Sequence, residues 1–134
     1  MELVIDSNCL ISALIKSGKS RELICSSKII LYSPEHILYE TSKHKEEIIS
    51  KSKITENDFN ILFAILSSNI KIIPESEFRE LKEKAMKLVT HPEDAPFMAL
   101  ALQKNISVWS DDKKLKYQSK VIVLSTSELI KICC

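Results

Sequence analysis

Five short apolar segments, separated by stretches with helical periodicity, constrain the fold of this chain more than any other feature. They cover residues 3–5, 29–32, 70–73, 107–109 and 121–124. Strands that are apolar throughout, rather than in alternation, are buried on both faces, which is typical of a parallel sheet covered by helices. We therefore predict an α/β fold, a three-layer α/β/α sandwich with a central parallel sheet of about five strands.

The stretches between these segments carry apolar residues at spacings of three and four, as expected of helices with one buried face. One helix is predicted to follow Ser7, which is its N-cap, and others are predicted over 34–50, 55–67 and 75–89. A further helix begins at Asp94, and the last one is capped by Ser125 or Ser127. No linker or repeat divides the 134 residues. The sequence therefore predicts a single domain over residues 1–134.

The net charge and the cysteines limit which partners and which cellular compartment are expected for this protein. The net charge is +1, so a nucleic acid would have to be held by a local patch rather than by overall charge. The four cysteines, Cys9, Cys25, Cys133 and Cys134, lack CxxC spacing and are predicted to be reduced thiols. Without a signal-peptide pattern or an apolar run of ~20 residues, we expect a cytoplasmic protein with no membrane contact.

Acidic residues follow two of the predicted strands. Asp6 comes directly after the first strand, and Asp111 and Asp112 come after the fourth. Ligands of open α/β sheets bind beyond the carboxyl ends of the strands, where the strand order reverses. Aspartate is also a common turn residue. The position of these acids is therefore consistent with a ligand site and also with ordinary turns after the strands.

Two further acids lie on predicted helices. Glu40 shares a helical stripe with Ile37 and Ile48, and a carboxylate on that stripe is costly to bury unpaired. Alternatively, Glu40 lies at the edge of the stripe and reaches water or Lys43. Asp94 is a favourable N-cap for the helix that follows it. Capping does not exclude metal binding, because one carboxylate oxygen can serve each purpose.

Four motifs resemble those of the PIN-domain family. Residues 3–11, 93–101 and 108–115 read LVIDSNCLI, EDAPFMALA and VWSDDKKL, and are similar to the first, third and fourth motifs of the family. Glu40 stands where the family has its second acid. The order and spacing of the motifs agree over essentially the whole chain. The resemblance implies a PIN-like fold with one acidic site, formed by Asp6, Glu40, Asp94 and Asp112.

The resemblance also implies an activity. PIN domains typically hydrolyse phosphodiester bonds of single-stranded RNA with Mg²⁺ or Mn²⁺, so the chain is predicted to be a metal-dependent endoribonuclease. Mg²⁺ prefers oxygen ligands and is usually held by one or two carboxylates and several waters. Clustered carboxylates without a cation repel one another, so raised pKa values are expected in the metal-free protein.

The resemblance assigns a role to each polar residue of the motifs. Asp6, Asp94 and Asp112 are predicted metal ligands, directly or through water, and Glu40 is a ligand or holds a metal-bound water. Three residues are predicted to orient carboxylates or contact the scissile phosphate: Ser7, Asn8 and Ser110. Three lysines are predicted to hold RNA phosphates: Lys113, Lys114 and Lys116.

The fourth motif departs from the family pattern at two positions. Asp111 stands where many members have glycine, so it remains a rival of Asp112 for the fourth acid. Lys114 stands where many members have a further aspartate, which puts a fifth carboxylate and a second metal ion in doubt.

Two other families of similar architecture lack the acids they need. A receiver domain is rejected because it requires an aspartate at the end of the third strand, where this chain has Ile73, Pro74 and Glu75, and Asn8 argues against a dehalogenase-type phosphatase, which requires a second aspartate at position 8. The serious alternative is a non-catalytic PIN-like module that binds RNA or a protein. Within the nuclease reading, the chain is either the toxin of a VapC-like toxin–antitoxin pair, with an antitoxin partner, or a factor for RNA maturation or decay. A homodimer is also expected from the resemblance.

Overall fold

Five parallel strands form one sheet in the computed structural model, which describes residues 1–133. The strands are β1 (Glu2–Ile5), β2 (Ile30–Pro34), β3 (Ile70–Ile73), β4 (Ser107–Trp109) and β5 (Val123–Leu124). Their order across the sheet is β3-β2-β1-β4-β5. The predicted α/β fold with a central parallel sheet of five strands is therefore confirmed, and the strand order reverses between β1 and β4.

Helices cover both faces of the sheet. Within residues 1–133 they are α1 (Ser7–Ile15), α2 (Lys19–Ile24), α3 (His36–Lys43), α4 (Lys45–Ser52), α5 (Glu56–Ser67), α6 (Lys82–Met86), α7 (Ala95–Lys104) and α8 (Thr126–Cys133). Helix α1 packs against α2, α3, α4 and α5, whereas α7 packs against α6 and the central strands. Short 3-10 turns cover Pro92–Asp94 and Lys113–Tyr117.

The core lies around the central strands and α7. Trp109, the last residue of β4, is fully buried, and its indole N–H donates to Thr126 Oγ1 at 2.9 Å. A buried indole needs such a partner for its one polar group. The predicted core role of Trp109 is therefore confirmed, and its ring is not free to stack on an RNA base.

Two predicted helices are broken in the structure. The helix predicted over 34–50 is divided at His44 into α3 and α4, and both Ile37 and Ile48 are buried in the core. The helix predicted over 75–89 is reduced to 3-10 turns and α6. Phe78 interrupts it with a φ of −128°, a value outside the helical range, and its side chain is buried. Burial of Phe78 accounts for the second break.

Three predicted boundaries were also wrong. Strand β2 continues through Ser33 and Pro34, and Pro34 lies opposite Ile73 of β3. Strand β5 begins at residue 123 instead of 121. The Gln118 side chain bonds both backbone groups of Val121, so that residue is not available to the strand. The N-cap position of α1 is Asp6, and Ser7 is the first helical residue.

The remaining expectations concern the last helix, the cysteines and membranes. Of the two predicted caps of α8, Ser125 is the one observed, since Glu128 N–H donates to Ser125 Oγ at 3.1 Å.

Cys9, Cys25 and Cys133 are free, and burial raises the pKa of the Cys9 thiol. Cys134 lies outside the described residues. Among residues 1–133, no helix has the length and apolar character of a membrane span.

Candidate active site

The acidic residues meet at the point where the strand order reverses. Strand β1 lies beside β4 with Ile5 opposite Trp109, and Asp6 N–H donates to the Trp109 carbonyl at 3.0 Å. This pairing places Asp6 next to the residues that follow β4. Open α/β sheets bind their ligands in this crevice.

Ser110 connects two of the aspartates. Its hydroxyl donates to Asp6 Oδ2 at 2.7 Å, and its oxygen accepts from the Asp112 backbone N–H at 3.1 Å. The serine therefore fixes the Asp6 carboxylate and the chain at Asp112 at the same time. The predicted orienting role of Ser110 agrees with this geometry, although its effect on catalysis stays a prediction.

The charges of three aspartates act on one another. Burial, followed by the charges of Asp6 and Asp112, raises the pKa of Asp94 to about 6, and His91 offsets part of this effect. Asp94 occupies the N-cap position of α7, but its side chain accepts no capping hydrogen bond. Its carboxylate is thus free to take part in the cluster. We call Asp6, Asp94 and Asp112 the aspartate cluster.

Asp6 is the most enclosed member of the aspartate cluster. Its side chain is 1% exposed, and this burial raises its pKa, while the Ser110 hydrogen bond lowers it and the Asp112 charge raises it further. Because burial has the largest effect, the ionised form of Asp6 is disfavoured in spite of the Ser110 hydroxyl and the backbone N–H groups of Ser7 and Asn8.

Glu40 is buried on α3, but the neighbour of its carboxylate is a histidine and not one of the residues around the aspartates. It is 8% exposed, and its Oε1 lies 3.1 Å from His36 Nε2, an approach that does not meet hydrogen-bond geometry. It is not among the main charges that raise the pKa of Asp6 or Asp94. The buried position agrees with the predicted stripe, and His36, rather than Lys43, is the neighbour.

Asp111 faces away from the aspartate cluster and toward α8. Its two carboxylate oxygens accept from the backbone N–H and the hydroxyl of Thr126, each at 2.7 Å. This is a capping arrangement for α8. Asp112 also accepts a capping hydrogen bond, from Lys114 N–H to its Oδ1 at 3.0 Å, so capping alone does not distinguish the two rivals for the fourth acid. The difference is that the charge of Asp112, and not that of Asp111, is among the main causes that raise the pKa values of Asp6 and Asp94.

The remaining predicted residues are placed as follows. Ser7 is buried and Asn8 is exposed, and within residues 1–133 neither side chain bonds to another protein group. Their backbone N–H groups lower the pKa of Asp6. Lys116 forms an ion pair with Glu128, whereas Lys113 and Lys114 have no ion pair within the described part of the chain.

The donor set fits a hard divalent cation held largely through water. Within residues 1–133, no three His, Cys, Asp or Glu side chains are arranged so that all could hold one ion directly. Mg²⁺ is usually bound by one or two carboxylates and several waters, so it does not require such a triad. A buried carboxylate beside two further aspartates is suited to that kind of binding.

Replacing Ser110 by alanine tests the bridge. We expect about 1–3 kcal/mol lower free energy of unfolding, because Asp6 loses its hydroxyl donor and the Asp112 N–H loses its acceptor. Urea denaturation of the variant and of Ser127→Ala, an exposed serine, measures the difference. Equal stability of the two variants would contradict the bridging role.

Three residues of this region were not found from the sequence: His36, Thr126 and Glu128. His36 lies four residues before Glu40 on the same helix, so helical spacing could have indicated that contact. Thr126 bonds Asp111 and Glu128 pairs with Lys116 across 15 and 12 residues. No local pattern signals those two contacts.

Comparisons with known proteins show the family and the fold of this chain. A family model described as the PIN domain matches residues 4–128. The fold is similar to that of PAE2754 from Pyrobaculum aerophilum, with a TM-score of 0.71, 14% identity, and coverage of 98% of this chain and 88% of that one. It is also similar to VapBC2 from Rickettsia felis bound to a DNA fragment from their promoter, with a TM-score of 0.62, 20% identity, and coverage of 93% and 98%. No curated protein matches.

The match to the family model extends over nearly the whole chain, and both solved structures share the fold. The family model and the aspartates gathered beyond β1 and β4 lead to the same conclusion: the chain belongs to the PIN-domain family, whose members are generally nucleases.

Proposed function

We propose that the protein is a metal-dependent endoribonuclease that hydrolyses phosphodiester bonds of single-stranded RNA. The observation that carries the proposal is the aspartate cluster at the point where the strand order reverses, in which Ser110 bonds both the Asp6 carboxylate and the Asp112 backbone N–H. Burial, followed by the charges of Asp6 and Asp112, raises the pKa of Asp94 there. A binding module has no need to gather ionisable groups that repel one another. Perturbed carboxylates in a crevice are typical of functional sites.

PIN nucleases typically use divalent metals. Asp6, Asp94 and Asp112 would hold Mg²⁺ or Mn²⁺, directly or through water, with Glu40 as a further ligand or as the acceptor for a bound water. Such an ion lowers the pKa of a bound water and offsets charge on the phosphate. Ser110 would keep the Asp6 carboxylate in one orientation while the substrate binds.

Two biological roles remain within this proposal. The similarity to a protein named VapBC2 supports a toxin with an antitoxin partner. A role in RNA maturation or decay fits the same chemistry. The homodimer, the cytoplasmic location and the single domain stay predictions.

Cleavage assays with two neighbouring variants test the proposal. Purified protein is incubated with labelled single-stranded RNA in Mg²⁺, in Mn²⁺ and in EDTA. We expect cleavage that depends on metal, is lost in Asp112→Asn and persists in Asp111→Asn. The two substitutions remove the same charge, and asparagine at position 111 still offers an acceptor to Thr126 N–H.

Each outcome favours one interpretation. If cleavage is lost in Asp111→Asn alone, Asp111 rather than Asp112 is the fourth acid of the site. If the native protein cuts no RNA and calorimetry detects no Mn²⁺ binding, the nuclease proposal fails and the non-catalytic module replaces it.

A further inference from the structure

His36 contains a polar atom that the fold leaves without a partner. Among the buried side-chain nitrogen and oxygen atoms of residues 1–133, its Nε2 is the one that makes no hydrogen bond. Glu40 Oε1 lies 3.1 Å from Nε2, but the approach does not meet hydrogen-bond geometry. Buried polar atoms are nearly always bonded, because an unpaired one lowers the stability of the fold. This nitrogen therefore needs an explanation other than stability.

Two aromatic rings hold the imidazole of His36 in place. The Phe97 ring meets it edge to face, with centroids 6.0 Å apart and planes at 70°, and the Tyr39 ring lies 6.0 Å away at 32°. Phe97 is buried and belongs to the core. His36→Phe would keep both contacts and would bury no unpaired nitrogen. Aromatic packing therefore does not account for a histidine at this position.

Two contacts hold α3, the helix of His36, at the edge of the sheet where the aspartate cluster lies. Ser33, in β2 shortly before α3, donates its hydroxyl to the Ile5 carbonyl at the end of β1, at 3.1 Å. The second contact is the ring of His36 on Phe97, which lies one helical turn after Asp94 in α7. These contacts therefore fix α3 relative to β1 and to the start of α7, next to which the aspartate cluster lies.

The Glu40 carboxylate decides which ring nitrogen of His36 carries the proton in the neutral imidazole. A lone pair on Nε2 would lie 3.1 Å from a carboxylate oxygen and would be repelled by it, whereas an N–H is attracted even when it is not in line. The proton is therefore expected on Nε2. The last torsion of a glutamate side chain is broad, so a small rotation of the carboxylate aligns Oε1 with this N–H. His36 is thus a donor that Glu40 can use without any movement of the backbone.

We propose that His36 is a positioning residue that holds the Glu40 carboxylate in the orientation it needs in the metal site. The inference rests on the proposed function and deepens it, because it gives the acid on α3 a donor comparable to the Ser110 hydroxyl that bonds Asp6. Residues that orient a metal ligand typically contribute about 10–100-fold to metal affinity or activity. His36 acts through Glu40 and does not contact the RNA.

Two substitutions separate the nitrogen of His36 from its ring. His36→Phe keeps the aromatic packing and removes Nε2, whereas His36→Gln loses the ring and keeps an N–H donor at a similar reach. Cleavage of labelled single-stranded RNA is measured in Mn²⁺. We expect His36→Phe to lower kcat by about tenfold or more, with KM for RNA nearly unchanged. His36→Gln should stay within about threefold of the native kcat, because it restores the donor.

The stability of the metal-free protein distinguishes positioning from packing. Since His36→Phe removes an unpaired buried atom and keeps the ring contacts, it should not lower the free energy of unfolding, measured with urea in EDTA. His36→Gln should lower it, because the contacts with Phe97 and Tyr39 are lost. The more stable variant is thus expected to be the slower enzyme. A destabilised His36→Phe, with both variants equally slow, would show that His36 only packs α3 and would overturn the proposal.

A double-mutant cycle tests whether His36 acts through Glu40. In a Glu40→Gln background, His36→Phe should lower kcat by less than about twofold, since the carboxylate that it positions is already absent. Losses that multiply as independent effects would overturn the positioning role.

His44→Phe is the matched control. His44 also lies beside a glutamate, Glu47, at 3.2 Å, but both side chains are exposed, at 40% and 52%. The same substitution should leave kcat at the native value there. An equal loss of kcat in His44→Phe would mean that the effect does not depend on the buried pair, and would overturn the proposal.

The failures of the two proposals are distinguishable, because Mn²⁺ binding is measured by calorimetry on the same variants. Cleavage by the native protein, with kcat and Mn²⁺ affinity unchanged in His36→Phe, would overturn the positioning role and leave the nuclease intact. If the native protein cuts no RNA, the nuclease proposal fails. Weaker Mn²⁺ binding in His36→Phe than in His36→Gln would then still support the positioning role, and equal Mn²⁺ affinity in the native protein and both variants would overturn it.

Discussion

Asp6→Asn is expected to lower the rate of RNA cleavage at least 100-fold while the protein remains folded. Loss of a residue that only supports a metal ligand typically costs about 10–100-fold, so loss of a central carboxylate should cost at least the upper value. Asp6 is the most buried acid of the site and is held by Ser110. Asparagine keeps the acceptor for that hydroxyl and removes only the charge.

Single-turnover cleavage in Mn²⁺, beside Asp58→Asn, measures this effect. Asp58 is exposed on α5, is not among the main charges that act on Asp6 or Asp94, and its substitution removes the same charge. Circular dichroism and thermal unfolding verify that the Asp6 variant is folded. Cleavage within a few-fold of the native rate would show that the chemistry takes place elsewhere.

Asp94→Asn is expected to stabilise the metal-free protein at neutral pH. The pKa of Asp94 is about 6, above its ordinary value of 3.8, so the folded state binds the proton more tightly than the unfolded state does. The free energy of unfolding of the native protein therefore falls as pH rises from about 4 to about 6 and stays lower above that window. After allowance for solvent screening of a partly buried group, we expect a gain of about 1–2 kcal/mol in the variant at pH 7.

Urea denaturation in EDTA between pH 3.5 and 8 measures this dependence. The native protein and the Asp94→Asn variant should have similar stability at the lowest pH and diverge through pH 4–6. Mn²⁺ should raise the stability of the native protein at pH 7 more than that of the variant, because ligand binding to the folded state is stabilising. Parallel pH profiles would mean that the pKa of Asp94 is not raised in the folded protein.

Much of the fold could be predicted from the chain itself. Uniformly apolar strands alternating with helical segments determined a parallel sheet, and the position of Asp6 and Asp112 after two strands placed them at one edge of it. Errors occurred where side chains override local periodicity. Gln118 shortens β5 through its own hydrogen bonds, and burial of Phe78 interrupts a predicted helix.

The sequence by itself determined which residues are candidates for the site, because residue type and position relative to strand ends are local properties. Only the tertiary structure decided what each candidate does. Asp111 and Asp112 are adjacent in the chain, yet the carboxylate of Asp111 bonds Thr126, whereas the backbone N–H of Asp112 bonds Ser110, which in turn bonds Asp6. These contacts depend on β4 lying between β1 and β5 in the sheet, and on α8 following β5. Contacts between residues as much as 104 positions apart leave no periodic signal in the sequence.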